Sequence, residues 1–147
     1  MTMSFEIKII PSSQTLPIRQ KAMWPNQPLA FVQLDADEKG KHLGLFVEGQ
    51  LVAVVSLFIA HQEAQFRKFA TLPEFQGQGY GTHLLRRLLE LVQQQNCAKV
   101  WCNARMDKTN FYHKFGLKET DRQFNRAGIQ YVVMEKVLNK SRSTSVQ

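Results

Sequence analysis

The sequence predicts an α/β fold built on a mixed sheet. Short apolar, β-rich runs bounded by turn residues recur along the chain, and segments with helical periodicity separate them. Neither an internal repeat nor a linker divides the 147 residues. The predicted element order is β-α-β-β-β-α-β-α-β-β, and strands and helices that alternate in this way pack as a sheet covered by helices.

The first part of the chain predicts one strand and one helix. Residues 6–10 alternate weakly, and Pro11 ends the run, which indicates a strand. Residues 12–24 open with serines that favour a helix start, and this helix is expected to end before Pro25. Residues 25–40, with two prolines and several acids, predict irregular structure.

A hairpin follows, and then a strand whose alternation of apolar and polar residues is interrupted. Residues 41–60 contain two apolar runs on either side of Gly49, which supplies the turn. Residues 64–71 predict a fourth strand. Because Arg67 and Lys68 stand side by side and break the alternation, a bulge or a splayed strand end is expected there.

The remaining elements are two helices and three strands. Leucines recur at helical spacing in residues 79–95, and Gly116 is positioned to end a second, short helix. The expected segments are a helix at 79–95, a strand at 98–104, a helix at 107–116, and strands at 117–124 and 129–138 around a loop at 125–128. One domain is predicted over residues 1–138, with a polar, disordered tail at 139–147.

Composition and charge narrow the function classes. The chain is 44% hydrophobic and 21% charged, as in a soluble globular protein, and contains no apolar run of the ~20 residues that a membrane span needs. The N-terminus does not resemble a signal peptide, so a cytoplasmic protein without a membrane partner is expected. A net charge of +7 favours anionic partners such as a phosphate-bearing cofactor. Nucleic acid is not expected, because no helix combines a basic face with interleaved aromatics.

The two cysteines, Cys97 and Cys102, predict reduced structural thiols. A disulfide framework needs more cysteines. A zinc site needs a second Cys/His pair at ligand spacing, so no metal site is predicted.

A glycine-rich stretch, "FQGQGYGTHL", directly precedes the leucine-rich helix. The start of a helix presents unpaired backbone N–H groups and the positive end of the helix dipole, which together bind phosphate. Glycines there let a phosphate approach the amides without a Cβ in the way. A Walker A loop is excluded because no lysine is suitably placed, and the dinucleotide fingerprint has a different spacing of glycines.

The stretch "ATLPEFQGQGYGTHLLRRLLE" resembles the acetyl-CoA-binding motif of the GNAT superfamily of N-acetyltransferases, and "NFYHKFGLKE" resembles the second signature of that family. The motif [QR]-x-x-G-x-[GA] falls on Gln76, Gly79 and Gly81. The resemblance implies a GNAT-like, mostly antiparallel sheet of six to seven strands, flanked by helices and splayed between the fourth and fifth strands.

The resemblance also implies acetyl-CoA as the cofactor. The backbone amides around the glycines would hold the pyrophosphate, and the end of the preceding strand would bind the pantetheine arm, with a bulge that leaves one N–H directed at the thioester. In many relatives an Asn contacts the cofactor where this chain has Arg105, so Asn103, Arg105 and Asn110 all remain candidates. The implied cofactor-binding residues are Phe69, Ala70, Thr71, Gln76, Gly77, Gln78, Gly79, Tyr80, Gly81, Thr82 and Asn110.

Two side chains are candidates for the chemistry. Tyr112 occupies the family position for the acid that protonates the departing thiolate. Relatives that use a strand carboxylate as base place it where this chain has Gln65, which cannot accept a proton. Glu63 lies two residues earlier, on the same face if the strand extends that far, and is therefore the candidate base; His61 is an alternative. His42 and His113 are expected to be ordinary surface or edge residues.

The expected reaction is direct acetyl transfer to a primary amine of a small molecule or a protein. The alternative is a CoA-binding sensor or stabiliser of the same fold that has no turnover. A homodimer stays an option. Acids at 35, 37 and 38 favour a cationic acceptor, whereas Arg122 and Arg126 favour one with a carboxylate, so the acceptor stays open. The residues expected to line the acceptor site are Arg19, Trp24, Phe31, Arg122 and Phe124.

Overall fold

A computed structural model describes residues 4–138. The predicted tail at 139–147 lies outside these residues. The chain forms two compact units, Met1–Phe58 with Arg67–Glu90 and Ile59–Phe66 with Leu91–Gln147. A single domain over 1–138 therefore stays a prediction. Within the described residues, no helix has the length and apolar character of a membrane span.

The predicted order of strands and long helices is confirmed, with bounds that differ by a few residues. The strands are β1 (Phe5–Ile10), β2 (Lys41–Val47), β3 (Gln50–Ala60), β4 (Glu63–Thr71), β5 (Lys99–Arg105), β6 (Lys118–Arg126) and β7 (Ile129–Val137). The helices are α1 (Thr15–Met23), α2 (Leu29–Val32), α3 (Tyr80–Gln94) and α4 (Thr109–His113), with single 3-10 turns at Ser12–Gln14, Asp37–Lys39, Pro73–Phe75 and Met106–Lys108.

Within residues 4–138, the sheet has seven strands in the order β1-β2-β3-β4-β5-β7-β6. The pairs β1–β2, β2–β3, β5–β7 and β6–β7 are antiparallel. β4 and β5 are parallel, and their pairing covers only Glu63–Gln65 against Lys99–Trp101. The predicted fold class is confirmed, including the splay between the fourth and fifth strands.

In each of two hairpins, β2–β3 and β6–β7, a two-residue turn with positive φ connects the two strands. Glu48 and Gly49 have φ of 48° and 84° between β2 and β3, and Ala127 and Gly128 have φ of 52° and 83° between β6 and β7. Two successive positive φ values are the mark of a type I′ turn, whose twist matches that of the strands it joins. The hairpin predicted at Gly49 is confirmed. The loop predicted at 125–128 is shorter than expected, because β6 continues to Arg126.

The segment 25–40, predicted to be irregular, contains α2 and the turn Asp37–Lys39. A buried ion pair holds it in place. The Arg19 guanidinium donates from Nη1 to Asp37 Oδ2 and from Nη2 to Asp37 Oδ1, both at 2.9 Å. It also donates to the carbonyl of Val32 at 2.8 Å. Arg19 is 0% exposed, so the expectation that it lines an acceptor site is wrong.

Hydrogen bonds link this ion pair to side chains of β2 and β3. Arg19 Nη2 donates to Ser56 Oγ at 3.0 Å, and Ser56 Oγ lies 2.7 Å from His42 Nδ1. His42 Nε2 donates to the carbonyl of Asp37 at 2.8 Å. His42 is 3% exposed, so it is not the surface residue that was expected. This network ties α1 and the Asp37 turn to the central strands of the first unit.

Burial by itself raises the pKa of Asp37. The hydrogen bonds from Arg19 and from the Leu34 N–H, with the charges of Arg19 and His42, outweigh burial and hold the pKa below its usual range. A carboxyl with a lowered folded-state pKa stabilises the fold fully above its unfolded pKa of about 3.9. That contribution is lost as the pH falls through the folded-state value.

We expect Asp37→Asn to lower the free energy of unfolding at pH 7 by about 3–5 kcal/mol, because it leaves a buried guanidinium without its counter-charge. Asp35→Asn, the same change at an exposed position, is the control. Urea unfolding measures both. The difference between the wild type and Asp37→Asn should begin to narrow below pH ~4, where the carboxyl of the unfolded chain takes up a proton, and should close as the pH falls through the lowered folded-state pKa of Asp37. Equal stabilities for the two variants at pH 7 would contradict a stabilising ion pair.

Candidate functional site

The glycine-rich loop lies between the turn Pro73–Phe75 and the first residue of α3. Two side-chain amides brace it. Gln76 Nε2 donates to the carbonyl of Thr71 at 2.9 Å, and Gln78 Nε2 donates to that of Glu74 at 3.2 Å. The backbone N–H of Gln76 donates to Pro73 at 3.2 Å. Gln76 therefore supports the loop, and the later residues supply the amides that a ligand could use.

The three glycines of the loop serve different purposes. Gly77 and Gly79 have φ of 77° and 90°, a left-handed conformation that side chains rarely adopt. A Cβ added at either position would meet nothing within 4 Å. Gly81 has no such backbone requirement, but a Cβ there would lie 3.2 Å from Phe69 Cζ. Gly81 therefore lets α3 pack against β4, while Gly77 and Gly79 shape the loop and leave open space above it.

The first turn of α3 presents backbone donors next to this space. Its first helical bond runs from the N–H of His83 to the carbonyl of Gly79 at 3.1 Å. The N–H groups of Tyr80, Gly81 and Thr82 come before that bond and have no intrahelical acceptor. Together with the positive end of the helix dipole, they form the kind of surface that binds phosphate. The donor set and the open backbone fit a pyrophosphate.

The start of α3 is anchored by aromatic contacts. Tyr80 is 6% exposed, and its ring meets that of Phe5 edge-on, with centroids 6.0 Å apart. The ring of Phe5 also lies 4.7 Å from that of His83. β1 thus fixes the helix end that carries the donors. Since the side chain of Tyr80 is packed, its backbone amide is the part that can meet a ligand.

β4 departs from regular strand geometry where a bulge was predicted. Lys68 has φ of 55°, in the left-handed region, in the middle of the strand. Beyond it, Phe69 and Thr71 are half-buried and Ala70 is buried. These three residues, expected to bind the pantetheine arm, are followed by the turn Pro73–Phe75 and then by the glycine-rich loop.

Tyr112 belongs to the second unit and lies on α4. Its ring centroid is 5.9 Å from that of Phe66 and 5.3 Å from that of Phe111. Burial raises the pKa of Tyr112 well above its usual value, and the neighbouring Cys102 thiol contributes to the rise. The phenol therefore keeps its proton at neutral and mildly alkaline pH, as a proton donor must. Phe111 and Phe115 pack against each other and are half-buried.

The cysteines are buried thiols that form no disulfide. Burial raises the pKa of Cys102 to about 12. A thiol with such a pKa is not a nucleophile at neutral pH, because the thiolate is the reactive form. Among the described residues, no three His, Cys, Asp or Glu side chains group as metal ligands.

Glu63, the implied base, lies at the first position of β4 in an ion pair. Lys99 Nζ is 3.7 Å from Glu63 Oε2 and 3.3 Å from Glu135 Oε1. Lys99 was not predicted as a partner of Glu63, because the two become neighbours only through the parallel register of β4 and β5. His61 is exposed in the turn before β4, with φ of 54°.

Three residues are candidates for the cofactor contact that an Asn makes in many relatives, and they lie on two different elements. Asn103 and Arg105 are half-buried on alternate positions of β5, whereas Asn110 is exposed on α4. Of the expected acceptor-lining residues, Trp24 and Phe31 pack edge-to-face with centroids 5.1 Å apart. Arg122 and Phe124 are exposed on β6.

Comparisons with known proteins identify the family of the chain. The model of the acetyltransferase (GNAT) domain family matches residues 22–138. The uncharacterized N-acetyltransferase YitI of Bacillus subtilis (strain 168) is 31% identical over 147 residues, which cover 93% of this chain and 99% of that protein.

Solved structures share the fold. The ribosomal-protein-S18-alanine N-acetyltransferase of Escherichia coli superposes with a TM-score of 0.75 at 18% identity, covering 92% of this chain and 95% of that one. The PaiA N-acetyltransferase of Thermoplasma acidophilum, in complex with coenzyme A, gives 0.71 at 16% identity and covers 92% and 100%. The chain therefore belongs to the GNAT family of acetyltransferases, the acetyl-CoA-dependent N-acyltransferases.

Proposed function

We propose that this protein transfers the acetyl group of acetyl-CoA directly to the primary amine of an acceptor. One observation carries the proposal: the left-handed pair Gly77 and Gly79 leaves open space directly before the N-terminus of α3. Family membership supports it. The amides from Gly77 to Thr82 would hold the pyrophosphate, with Gln76 and Gln78 bracing the loop.

The remaining cofactor contacts follow from the family resemblance. The end of β4, from Phe69 through Ala70 to Thr71, is assigned to the pantetheine arm. Asn110 is assigned to the cofactor as well, because its exposed side chain leaves it available for a ligand. Bound acetyl-CoA supplies a thioester whose acetyl carbon bonds to the amine nitrogen as the C–S bond breaks.

The protein's own part in that exchange is to move two protons. The acceptor amine must lose a proton, which passes to Glu63 directly or through water. The sulfur must gain one, which the phenol of Tyr112 donates, and solvent then restores the phenol. The assignment of Tyr112 rests on its position in the family signature; burial raises its pKa, so the phenol carries its proton when the sulfur departs. Glu63 is half-exposed, so its ion pair with Lys99 can exchange with water.

The first test is cofactor binding and turnover with a panel of amines. Acetyl-CoA should raise the melting temperature, since a ligand that binds only the folded state stabilises it. We expect Gly79→Ala to weaken this binding roughly tenfold or more, about 1.4 kcal/mol, because its methyl group enters the open space of the loop.

Gly49→Ala is the matched control. Gly49 also has a positive φ, 84°, and a Cβ there also meets nothing within 4 Å. Both variants therefore carry a similar backbone strain, and only Gly79→Ala should lose acetyl-CoA binding. Unaltered binding in Gly79→Ala would remove the loop from the cofactor site. Gly81 is unsuitable for this test, because its Cβ would press on Phe69.

The role of Tyr112 is tested by Tyr112→Phe, which keeps the ring and removes the hydroxyl. We expect kcat to fall by about 10²- to 10⁴-fold, the usual contribution of a positioned acid. Acetyl-CoA affinity should be unchanged. Wild-type kcat should show no decline from this group near pH ~10, where an ordinary tyrosine ionises, because burial raises the pKa of Tyr112. A Phe variant with wild-type turnover, where chemistry limits the rate, would make Tyr112 a packing residue.

Glu63 and Glu135 share Lys99, which provides a matched pair of variants. We expect Glu63→Gln to lower kcat by about 10²-fold, the low end of base catalysis, and Glu135→Gln to leave it near the wild-type value. Each variant removes one ion pair of Lys99, so a general effect of that cation would appear in both. Equal losses of kcat in the two variants would show that the lost ion pairs of Lys99 cause the decrease. Glu63 would then no longer be assigned as the base. Cofactor binding without turnover of any amine would favour the sensor alternative.

A further inference from the structure

One face of the sheet in the second unit places an arginine beside aromatic side chains. Along β5, Val100, Cys102 and Ala104 are buried, while the alternate residues Trp101 and Asn103 are half-buried. Cross-strand partners lie on the same face of a sheet. Arg105 pairs with Tyr131 of β7, and Tyr131 pairs with Phe124 of β6. We name this surface the β5 face, defined by Trp101, Asn103, Arg105, Tyr131 and Phe124.

Arg105 is the charged group of the β5 face. Arg105 is a half-buried residue at the last position of β5, and no described carboxylate forms an ion pair with it. The neighbouring cation on this side of the sheet, Lys99, is different because Glu63 and Glu135 both neutralise it. Arg105 therefore retains its full capacity for a bidentate contact with an anion.

A flat apolar surface lies beside this cation. The rings of Tyr131 and Phe124 stack with centroids 5.1 Å apart and planes 9° from parallel. Phe124 is 39% exposed, so part of the stacked pair is open to a ligand. Since Tyr131 is the cross-strand partner of Arg105, an anion site and an aromatic surface are direct neighbours.

We propose that the β5 face binds the amine acceptor, and that the acceptor carries a carboxylate and an apolar or aromatic group. Arg105 holds the carboxylate, and the Tyr131–Phe124 pair holds the apolar group. This rests on the proposed acetyl transfer. A carboxylate matches the planar fork of the Arg105 guanidinium, which can hold both carboxylate oxygens at once.

An anionic group on the acceptor follows from Arg105 on the β5 face, and one of the cues for a cationic acceptor is removed. Asp37, one of the three acids that favoured a cationic amine, is buried and neutralised by Arg19. The proposed substrate class is therefore amino acids with an apolar or aromatic side chain, and it excludes polyamines and aminoglycosides, which carry only cationic groups.

The experiment compares phenylalanine with phenylalaninamide, which keeps the amine and the ring and lacks the carboxylate. The wild type should prefer phenylalanine. Arg105→Gln should raise the KM for phenylalanine by about 10- to 100-fold, the range for a lost charged hydrogen bond, and should leave the KM for the amide unchanged. Lys108→Gln removes the same charge from an exposed turn residue of the same unit and should change neither value.

A binding measurement separates this inference from the proposed function. N-acetylphenylalanine keeps the carboxylate and needs no turnover, so calorimetry should detect its binding to the wild type and a loss of binding in Arg105→Gln. If no amine is acetylated, the proposed function fails, and this measurement still decides the carboxylate site. Equal KM changes for acid and amide, or no binding of the acetylated acid, would overturn the proposal. A weaker thermal shift with acetyl-CoA in Arg105→Gln would overturn it too, by making Arg105 a cofactor contact.

Discussion

The left-handed backbone at Gly77 and Gly79 is the constraint on which the site depends. The chain must leave β4 at Thr71, make one short turn, and present the first amides of α3 to open space. Side chains at the two positions would strain the backbone and fill the space above it. Everything nearby supports this geometry, from the bracing amides of Gln76 and Gln78 to the packed ring of Tyr80.

Charge pairing decides which ionic groups are available for chemistry. The sequence has 19 basic and 12 acidic residues, and a count alone indicates only a preference for anions. Arg19 and Asp37 neutralise each other inside the first unit, and Lys99 is shared between two glutamates in the second. Arg105 keeps its charge available to a ligand. The acceptor specificity that we infer therefore depends on which cation lacks a carboxylate partner, and not on the net charge of the chain.

The local sequence pattern predicted most helices and strands. The features that it did not predict depend on contacts between residues far apart in the sequence. The hairpin at Gly49, the leucine helix and the irregular β4 follow from turn chemistry and periodicity, which act between residues close in sequence. The burial of His42 could not be predicted in this way. It depends on a network in which Arg19 bonds to groups 18 and 37 positions away. The glycine motif predicted a phosphate loop, but only three-dimensional packing separated the role of Gly81 from those of its neighbours.

The burial of both cysteines has a practical consequence for work on this protein. Cys97 and Cys102 are the chain's two thiols, and each is only 2% exposed. The raised pKa of Cys102 also removes most of its thiolate at neutral pH. A thiol-reactive dye added to a working sample would therefore react with coenzyme A as it is released and very little with the folded protein. The same dye, added without substrate, would count the molecules that have unfolded.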